Sequence, residues 1–361
     1  MNWKCPPSLL VGAVGLVVGV AYVLRIMIPH DLDPTIMIAF GENSPAHSAY
    51  ARGLVGDVVL RPAFGHDGQD FFIQANDPWL LNPESHAILL DNAIYRSQRM
   101  AYPMIASGFG LFPPRAVVWT LPLVNVLALG AGTVITSRLS SFLGGSPWLG
   151  LAFCLNLGLL SEVDISGSGA VALAFAVAGV LAAEKGRPWA AALLLAGAAL
   201  SRETMLAWAV VVGWFLWRKG IDKWWASAAL PMAAVGLWGF FIRYRLSGLP
   251  SLDIPFLAPF PFAGPVDAYE FWRSEPSNLL IIFALVMVAV AFAVRVVRSR
   301  QLLGWAAAPS LLIAATASVS VWRYPYDIAR VLAPILLAYP LLAFIANPKP
   351  KNELDVETGL S

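Results

Sequence analysis

The stretch that decides the fold is the first apolar run, residues 8–28, SLLVGAVGLVVGVAYVLRIMI. Its 21 residues contain one charged side chain, Arg25, and are long enough to cross the hydrocarbon core of a bilayer as a helix. The run is longer than the apolar region of a typical signal peptide, and no small-x-small cleavage site follows it. The sequence therefore predicts a retained membrane anchor at this end of the chain.

Apolar runs of this kind continue along nearly the whole sequence. Of the 361 residues, 58% are hydrophobic and 13% are charged, whereas a soluble domain has roughly 25% charged residues. We therefore predict an all-α, polytopic transmembrane helical bundle with about ten spans. The predicted spans are 8–28, 115–138, 147–163, 167–183, 188–201, 203–217, 224–244, 277–294, 302–321 and 329–346.

The bundle is expected to be a single transmembrane domain, 1–346. Its first extracytoplasmic loop, 29–101, is large and polar, and we expect short interfacial helices within it. The segment 102–112 is too short to span and is ended by Pro113 and Pro114, which favours a helix at or dipping into the outer interface. The polar segment 347–361 is predicted to be a disordered cytoplasmic tail.

Lysine positions orient the predicted bundle. If the N-terminus is cytoplasmic, every lysine and the arginines near 218 and 295–300 fall on the cytoplasmic side, as the positive-inside rule requires. The lysines are Lys4, Lys185, Lys219, Lys223, Lys349 and Lys351. We therefore predict a multi-pass protein of the inner (plasma) membrane with both termini in the cytoplasm.

Residues 188–217 could form one long helix or two short ones. One helix would bury Arg202 and Glu203 near the middle of the bilayer, at roughly 2.5–3.5 kcal/mol for each charge. It would also move the following basic cluster to the outer side. A hairpin of two short helices avoids both problems, with residues 201–204 at its outer tip. Halves of about 14 residues are shorter than a usual span, which favours a tip inside a cavity over one at the surface.

The predicted outer face carries arginines and no lysine. Arginine binds phosphate or carboxylate through a rigid, bidentate fork of donors, so this face suggests an outward-facing anion site. The alternative is that topology selection excludes lysine and tolerates some arginine. The outer arginines are Arg52, Arg61, Arg96, Arg99, Arg115, Arg202, Arg243, Arg245, Arg273, Arg323 and Arg330.

The outer loop 29–101 holds nine of the 22 acids and all four histidines. Its densest polar stretch, 65–72, reads GHDGQDFF and contains His66, Asp67, Gln69 and Asp70. This stretch is either a turn that leads into a short amphipathic helix or a catalytic segment. No histidine spacing typical of a metal site is present, so no metal ligand is assigned.

Four segments, in this order, resemble the bacterial branch of the GT-C superfamily of polytopic glycosyltransferases. They are the His-Asp-Gly-Gln segment 66–69, the Arg-x-x-Arg-x-x-Tyr-Pro segment 96–103, the Ser-Arg-Glu-Thr tip 201–204 and the Arg-x-x-x-Pro segment 330–334. The resemblance covers about residues 8–346. It implies a polyprenyl-phosphate-linked sugar as donor, an acid of the first outer loop as catalyst and inversion at the anomeric carbon. Relatives often have aromatic residues directly after the Gln, whereas Asp70 intervenes here, which leaves the base open between Asp67 and Asp70.

The chemistry of such a transfer fits these residues. Attack of an acceptor hydroxyl on an anomeric carbon needs a general base, and a lipid-phosphate leaving group needs charge stabilisation more than protonation. Asp67 is the predicted base, with Asp70 in reserve. Glu203 either orients Arg202 or forms a local ion pair with it. The predicted phosphate ligands are Arg99, Arg202 and Arg330, and the further substrate-binding candidates are His66, Gln69, Arg96, Tyr102, Glu203 and Arg323.

The expected partners are membrane lipid, a polyprenyl-phosphate sugar and a glycan or lipid acceptor on the extracytoplasmic side, in cell-envelope glycan assembly. Nucleic acid is not an expected partner, and no cofactor is expected beyond the donor, with a divalent metal left open. A transporter or flippase for a lipid-linked or anionic solute is the main alternative. A non-catalytic assembly factor is the second.

Overall fold

The computed structural model describes residues 7–249, 257–299 and 301–345, and it is mostly helical. The predicted tail 347–361, Lys4, Lys349 and Lys351 lie outside the described residues. The α-helices are Pro7–Met27, Pro45–Val55, Asp67–Asn76, Pro83–Leu89, Ala93–Arg96, Ala101–Ala106, Pro114–Phe142, Leu151–Cys154, Leu157–Asp164, Gly169–Glu184, Pro188–Ser201, Leu206–Arg218, Ala226–Arg245, Ala263–Arg273, Pro276–Arg298, Leu302–Ala307, Pro309–Thr316, Val319–Trp322 and Pro325–Phe344. Short 3-10 helices cover Ile28–His30, Pro34–Ile38, Pro147–Gly150 and Glu203–Met205.

Five helices are long and apolar enough to cross a membrane, as expected of a membrane protein. They are Pro7–His30, with its 3-10 extension, Pro114–Phe142, Ala226–Arg245, Pro276–Arg298 and Pro325–Phe344. The other predicted spans form helices of 16 residues or fewer within the described part of the chain. A count of ten spans therefore does not follow from helix length alone.

The predicted span 147–163 is wrong as a single helix. The chain forms three short helical pieces here, and Asn156 caps the start of the last one, Leu157–Asp164. The Asn156 side chain accepts a hydrogen bond from Gly158 N at 3.0 Å, and its amide donates to Ala333 O at 2.9 Å. Because an Asn side chain that caps a helix satisfies a free backbone N–H, the break is stable although the run is apolar.

The predicted span 302–321 is also divided. A helix ends at Ala307, the next begins at Pro309, and Ala317 is extended before the short helix Val319–Trp322. Proline is favoured in the first turn of a helix and has no N–H to continue the preceding one. The division at 308–309 is therefore encoded by Pro309.

The predicted break in 188–217 is present. One helix ends at Ser201, Arg202 is extended with φ −156°, and the next helix runs from Leu206 to Arg218. The break places the polar side chains of Arg202 and Glu203 outside a helix interior. The two short helices contact each other, as a hairpin requires.

Several charged residues lie at the ends of helices. Lys219 Nζ lies 3.0 Å from Glu184 Oε2, next to Lys185. The C-terminal ends of Pro276–Arg298 and Pro325–Phe344 also meet, because Arg295 Nε donates to Leu342 O at 2.9 Å. Lys219 follows the last residue of the helix Leu206–Arg218, and Arg295 lies in the last turn of Pro276–Arg298.

The outer loop packs on the bundle through several short helices and one small parallel strand pair, Phe40–Gly41 with Leu60–Arg61. The strand pair is a small departure from the all-α prediction. Arg61 fastens the loop to the bundle, since its guanidinium binds the Asp164 carboxylate at 3.0 Å and its backbone oxygen at 2.7 Å. A Cβ at Gly68 would stand 2.2 Å from Ile165 O and 2.5 Å from Ile38 O. Only glycine therefore lets the helix Asp67–Asn76 sit this deep.

Candidate functional site

Most of the predicted site residues line one cavity of about 1000 Å³. Four segments that are far apart in sequence supply them: the start of the helix Asp67–Asn76, the region 95–99, the break at 202–204 and the helix Pro325–Phe344. The nine predicted residues at the cavity are His66, Asp67, Gln69, Asp70, Arg96, Arg99, Arg202, Glu203 and Arg330.

Two predicted residues do not line the cavity. Tyr102 is fully buried, and its hydroxyl donates to Leu121 O at 2.9 Å and accepts from the amide of Asn125 at 3.0 Å. The exposed Arg323 stacks on the ring of Phe271, with 4.3 Å from Cζ to the ring centroid. Tyr102 therefore packs in the core beneath the site, and Arg323 belongs to an aromatic surface.

Asp67 lies between two arginines. Its Oδ1 accepts from Arg96 Nη1 at 2.7 Å, and its Oδ2 accepts from Arg330 Nη2. Desolvation alone would favour the protonated acid. The neighbouring guanidiniums, led by that of Arg330, outweigh it and hold the pKa of Asp67 well below its usual range. Asp67 is therefore a stable carboxylate with weak basicity.

Asp70 has a different environment. Its Oδ1 lies 3.2 Å from His47 Nε2, and its Oδ2 lies 3.4 Å from Arg96 Nε. His47 comes from the helix Pro45–Val55, 23 residues earlier in the chain, and it also lines the cavity. Asp70 thus sits between an imidazole and a guanidinium at the cavity wall.

Glu203 binds Arg99, which corrects the expectation that it would pair with Arg202. The pair is bidentate, with Arg99 Nε and Nη2 at 2.9 and 2.8 Å from the two carboxylate oxygens. The Tyr95 hydroxyl donates to Glu203 Oε1 at 3.2 Å. Desolvation raises the pKa of Tyr95, so this phenol stays protonated at neutral pH. A bidentate pair of this kind fixes the direction of the guanidinium.

Arg202 instead binds Glu162, a residue that the sequence reasoning missed. The Glu162 side chain is only 1% exposed, and its Oε1 accepts from Arg202 Nη1 at 2.8 Å and from Arg330 Nε at 2.9 Å. Gly167 makes room for it, because a Cβ there would stand 1.9 Å from Glu162 Oε2. One buried carboxylate therefore holds two cavity arginines together.

The four cavity arginines differ in how many donors they use. Arg96 and Arg330 bind carboxylates through all three of their nitrogens, whereas Arg99 Nη1 has no hydrogen bond to any residue that the structure describes. Among the described residues, Arg202 donates only from Nη1. Arg202 therefore has the most N–H groups left for an additional anion.

Gln69 and His66 hold the loop as well as lining the cavity. Gln69 Nε2 donates to Phe64 O at 2.9 Å, and its Oε1 accepts from Gly41 N at 3.3 Å. The backbone N–H of His66 donates to Ala39 O at 3.1 Å. Both residues therefore connect the start of the helix Asp67–Asn76 to the small strand pair.

The cavity also has an apolar side. Leu257, Ile313, Ala317, Val321 and Val331 also line it. Ala317 lies at the extended break of the divided helix, where it pairs with Leu257 in an isolated bridge. The cavity can therefore accept a molecule with an anionic part and an apolar part.

Other charged residues of the site escaped the sequence reasoning. Asp91 binds Arg96 Nε at 2.8 Å, and Asp327 binds Arg330 Nη1 at 3.2 Å. Both acids lie within five residues of their arginine, so a local charge pattern could have suggested them. The long-range partners His47 and Glu162 have no such signal. Glu162 lies inside the predicted span 147–163, where the surrounding residues are mostly apolar.

No group of three His, Cys, Asp or Glu among residues 7–249, 257–299 and 301–345 is arranged to hold a metal ion. Comparison of the chain with protein-family models, with curated proteins and with solved structures found no match.

Proposed function

We propose that the protein is a membrane glycosyltransferase that moves a sugar from a polyprenyl-phosphate donor to an acceptor hydroxyl. The proposed reaction takes place on the extracytoplasmic side of the inner membrane, in cell-envelope glycan assembly. One observation carries the proposal: four distant segments, each part of the GT-C resemblance, supply carboxylates and arginines to one cavity.

The residues around the cavity suit this chemistry. A phosphate leaving group gains a negative charge as its bond to the anomeric carbon breaks, and preorganised cationic donors stabilise that charge. Within the described part of the chain, Arg202 has unused donors, and Arg99 has an unused Nη1 and a fixed orientation. We assign the phosphate to these two arginines. The apolar side near Ile313 and Val321 suits a prenyl chain.

The proposed topology has about ten passes with both termini in the cytoplasm. It counts the five long helices, the short helices Gly169–Glu184, Pro188–Ser201 and Leu206–Arg218, and the divided runs 147–163 and 302–321 as passes. Its support is the basic end of the bundle, where Lys185 and Lys219 lie together next to Glu184. In this arrangement the break at Arg202 faces the opposite, extracytoplasmic side.

The first experiment is a thermal-unfolding assay of the detergent-purified protein with a panel of polyprenyl-phosphate sugars. A ligand that binds only the folded state stabilises it by RT ln(1 + [L]/Kd), about 2.7 kcal/mol at 100 times Kd. We expect one donor to stabilise the wild type and to lose most of its effect in Arg202→Ala. The matched control is Arg273→Ala, because Arg273 is 60% exposed and, among residues 7–249, 257–299 and 301–345, pairs only with Glu270, outside the cavity.

The outcomes separate the candidate functions. A donor that acts on the wild type and the control but not on Arg202→Ala supports the proposal and names the sugar. Asp67→Asn is expected to keep donor binding, because the assigned phosphate ligands remain. A protein that ignores every donor but is stabilised by a water-soluble anion is a transporter, and the proposal is then wrong.

A further inference from the structure

His47 and Asp70 form a pair that the donor-binding assignment leaves unused. His47 Nε2 lies 3.2 Å from Asp70 Oδ1, and both side chains are mostly buried but line the cavity, with 15% and 8% exposure. Nδ1 of His47 has no hydrogen-bond partner among the described residues. With its Nε2 proton directed at a carboxylate, a neutral imidazole presents Nδ1 as a proton acceptor.

Asp67 is poorly placed for the same task. Both of its oxygens are engaged by guanidiniums, from Arg96 and Arg330. A general base is most effective when its proton affinity matches the operating pH, whereas two cations make this carboxylate weakly basic. Asp67 therefore acts as the counter-charge that holds the two arginines in position.

Resting on the proposed function, we propose that His47, oriented by Asp70, is the general base that activates the acceptor hydroxyl. Asp70 is then a positioning residue, and Arg96, 3.4 Å from its second oxygen, fixes the carboxylate in turn. In this arrangement His47 replaces the predicted Asp67 as the general base, and Asp70 orients it.

The proposed step transfers the sugar to the acceptor oxygen and a proton to His47. The acceptor oxygen forms a bond to the anomeric carbon while its proton moves to His47 Nδ1, which gives an imidazolium that faces the Asp70 carboxylate. The bond between the anomeric carbon and the phosphate oxygen breaks, and its electron pair stays on that oxygen. The products are the glycosylated acceptor and polyprenyl phosphate, and the imidazolium then releases its proton to water.

The test measures donor binding and donor cleavage separately on the full-length protein in detergent. Thermal shift reports binding of the donor found in the panel assay, and release of polyprenyl phosphate reports cleavage, with water or methanol as surrogate acceptor. We expect His47→Ala to lower turnover about 100-fold or more while the donor Kd stays within about twofold. Added imidazole is expected to restore part of the turnover of His47→Ala but not that of Asp70→Asn. The matched control, His30→Ala, changes an exposed histidine outside the cavity and is expected to keep full turnover.

Each other outcome overturns the inference. Wild-type turnover in His47→Ala rules out this base and leaves the glycosyltransferase proposal standing. A joint loss of melting temperature, donor affinity and turnover without imidazole rescue makes His47 a structural residue. If the wild type neither binds nor cleaves any donor, the proposed function and the inference fall together.

Discussion

Glu162 is 1% exposed and carries its charge between Arg202 and Arg330. Removing one partner of a buried ion pair leaves the others desolvated and uncompensated, at a cost of roughly 3–5 kcal/mol. We expect Glu162→Gln to lower the free energy of unfolding by about 3 kcal/mol and to weaken donor binding. Thermal unfolding in detergent measures the first effect, and the donor-induced shift measures the second.

The control for Glu162 is Glu270, which also pairs with an arginine. Glu270 and Arg273 are 62% and 60% exposed, and surface pairs contribute about 0–1 kcal/mol. Glu270→Gln should therefore leave the melting temperature almost unchanged. An equal fall in melting temperature in Glu162→Gln and Glu270→Gln would show that the buried Glu162 pairs stabilise the protein no more than a surface pair.

The ionisation of Asp67 makes the stability of the protein depend on pH in the acid range. Its pKa is held well below the usual range in the folded state, whereas an unfolded Asp titrates near about 3.9. Its contribution to stability is therefore complete above about pH 5 and is lost as the pH falls through the lower, folded pKa. We expect melting temperatures between pH 6 and pH 3 to fall more steeply for the wild type than for Asp67→Asn. Equal slopes of melting temperature against pH in the two proteins would contradict the lowered pKa of Asp67.

At single positions the sequence indicated which residues belong to the site, but not which residues they bind. The motif segments pointed to His66, Asp67 and Arg202, and all three line the cavity. The pairing of Glu203 was predicted wrongly because adjacency in sequence suggested Arg202. Burial of both side chains around one cavity brings Glu203 to Arg99, 104 residues earlier in the chain. Long-range pairs of this kind depend on helix packing, which one sequence does not reveal.

The helix Asp67–Asn76 depends on its close approach to the bundle. A Cβ at Gly68 would overlap the carbonyl oxygens of Ile165 and Ile38, so Gly68→Ala must displace the helix that carries Asp67 and Asp70. We expect this variant to melt at a lower temperature and to lose the donor-induced shift. Thermal unfolding with and without donor measures both effects.

Gly53 is the matched control for Gly68. It lies inside the helix Pro45–Val55, and nothing stands within 4 Å of the Cβ that alanine would add. Since alanine is better than glycine in a helix interior by roughly 0.5–1 kcal/mol, Gly53→Ala should be neutral or stabilising. A loss of stability in Gly53→Ala as large as that in Gly68→Ala would refute the packing argument.

Helices were predictable where an apolar run is long enough to form one and charged residues or prolines mark its ends. The five long helices match predicted spans, and the break at Arg202 follows from the cost of burying charge. The prediction of one helix over 147–163 failed because the mean hydropathy of the run conceals Asn156. The side-chain amide of Asn156 donates to Ala333 O and so stabilises the break between the helices. Pro309 marked the division of 302–321, but the apolar residues on both sides of it concealed that signal.

The orientation of the whole molecule in the membrane can be tested with two introduced cysteines, one on each predicted side. Leu81 is 75% exposed in the outer loop, and Lys185 is exposed at the basic end. In a background with Cys5 and Cys154 replaced, a membrane-impermeant maleimide should label Leu81→Cys in intact cells. It should label Lys185→Cys only after the membrane is opened. The reverse pattern would place the cavity on the cytoplasmic side and end the glycosyltransferase proposal.

The helix Pro188–Ser201 ends at the cavity after 14 residues. At about 1.5 Å per residue it is about 21 Å long, whereas the hydrocarbon core of a typical bilayer is about 30 Å thick. If its basic end is held at one interface, its other end lies roughly 9 Å below the opposite one. Arg202 and its neighbours would then bring water and charge to the depth of acyl chains, and the surrounding lipid would thin to meet them. Bilayer thickness would thus set how far a headgroup must sink to reach this site.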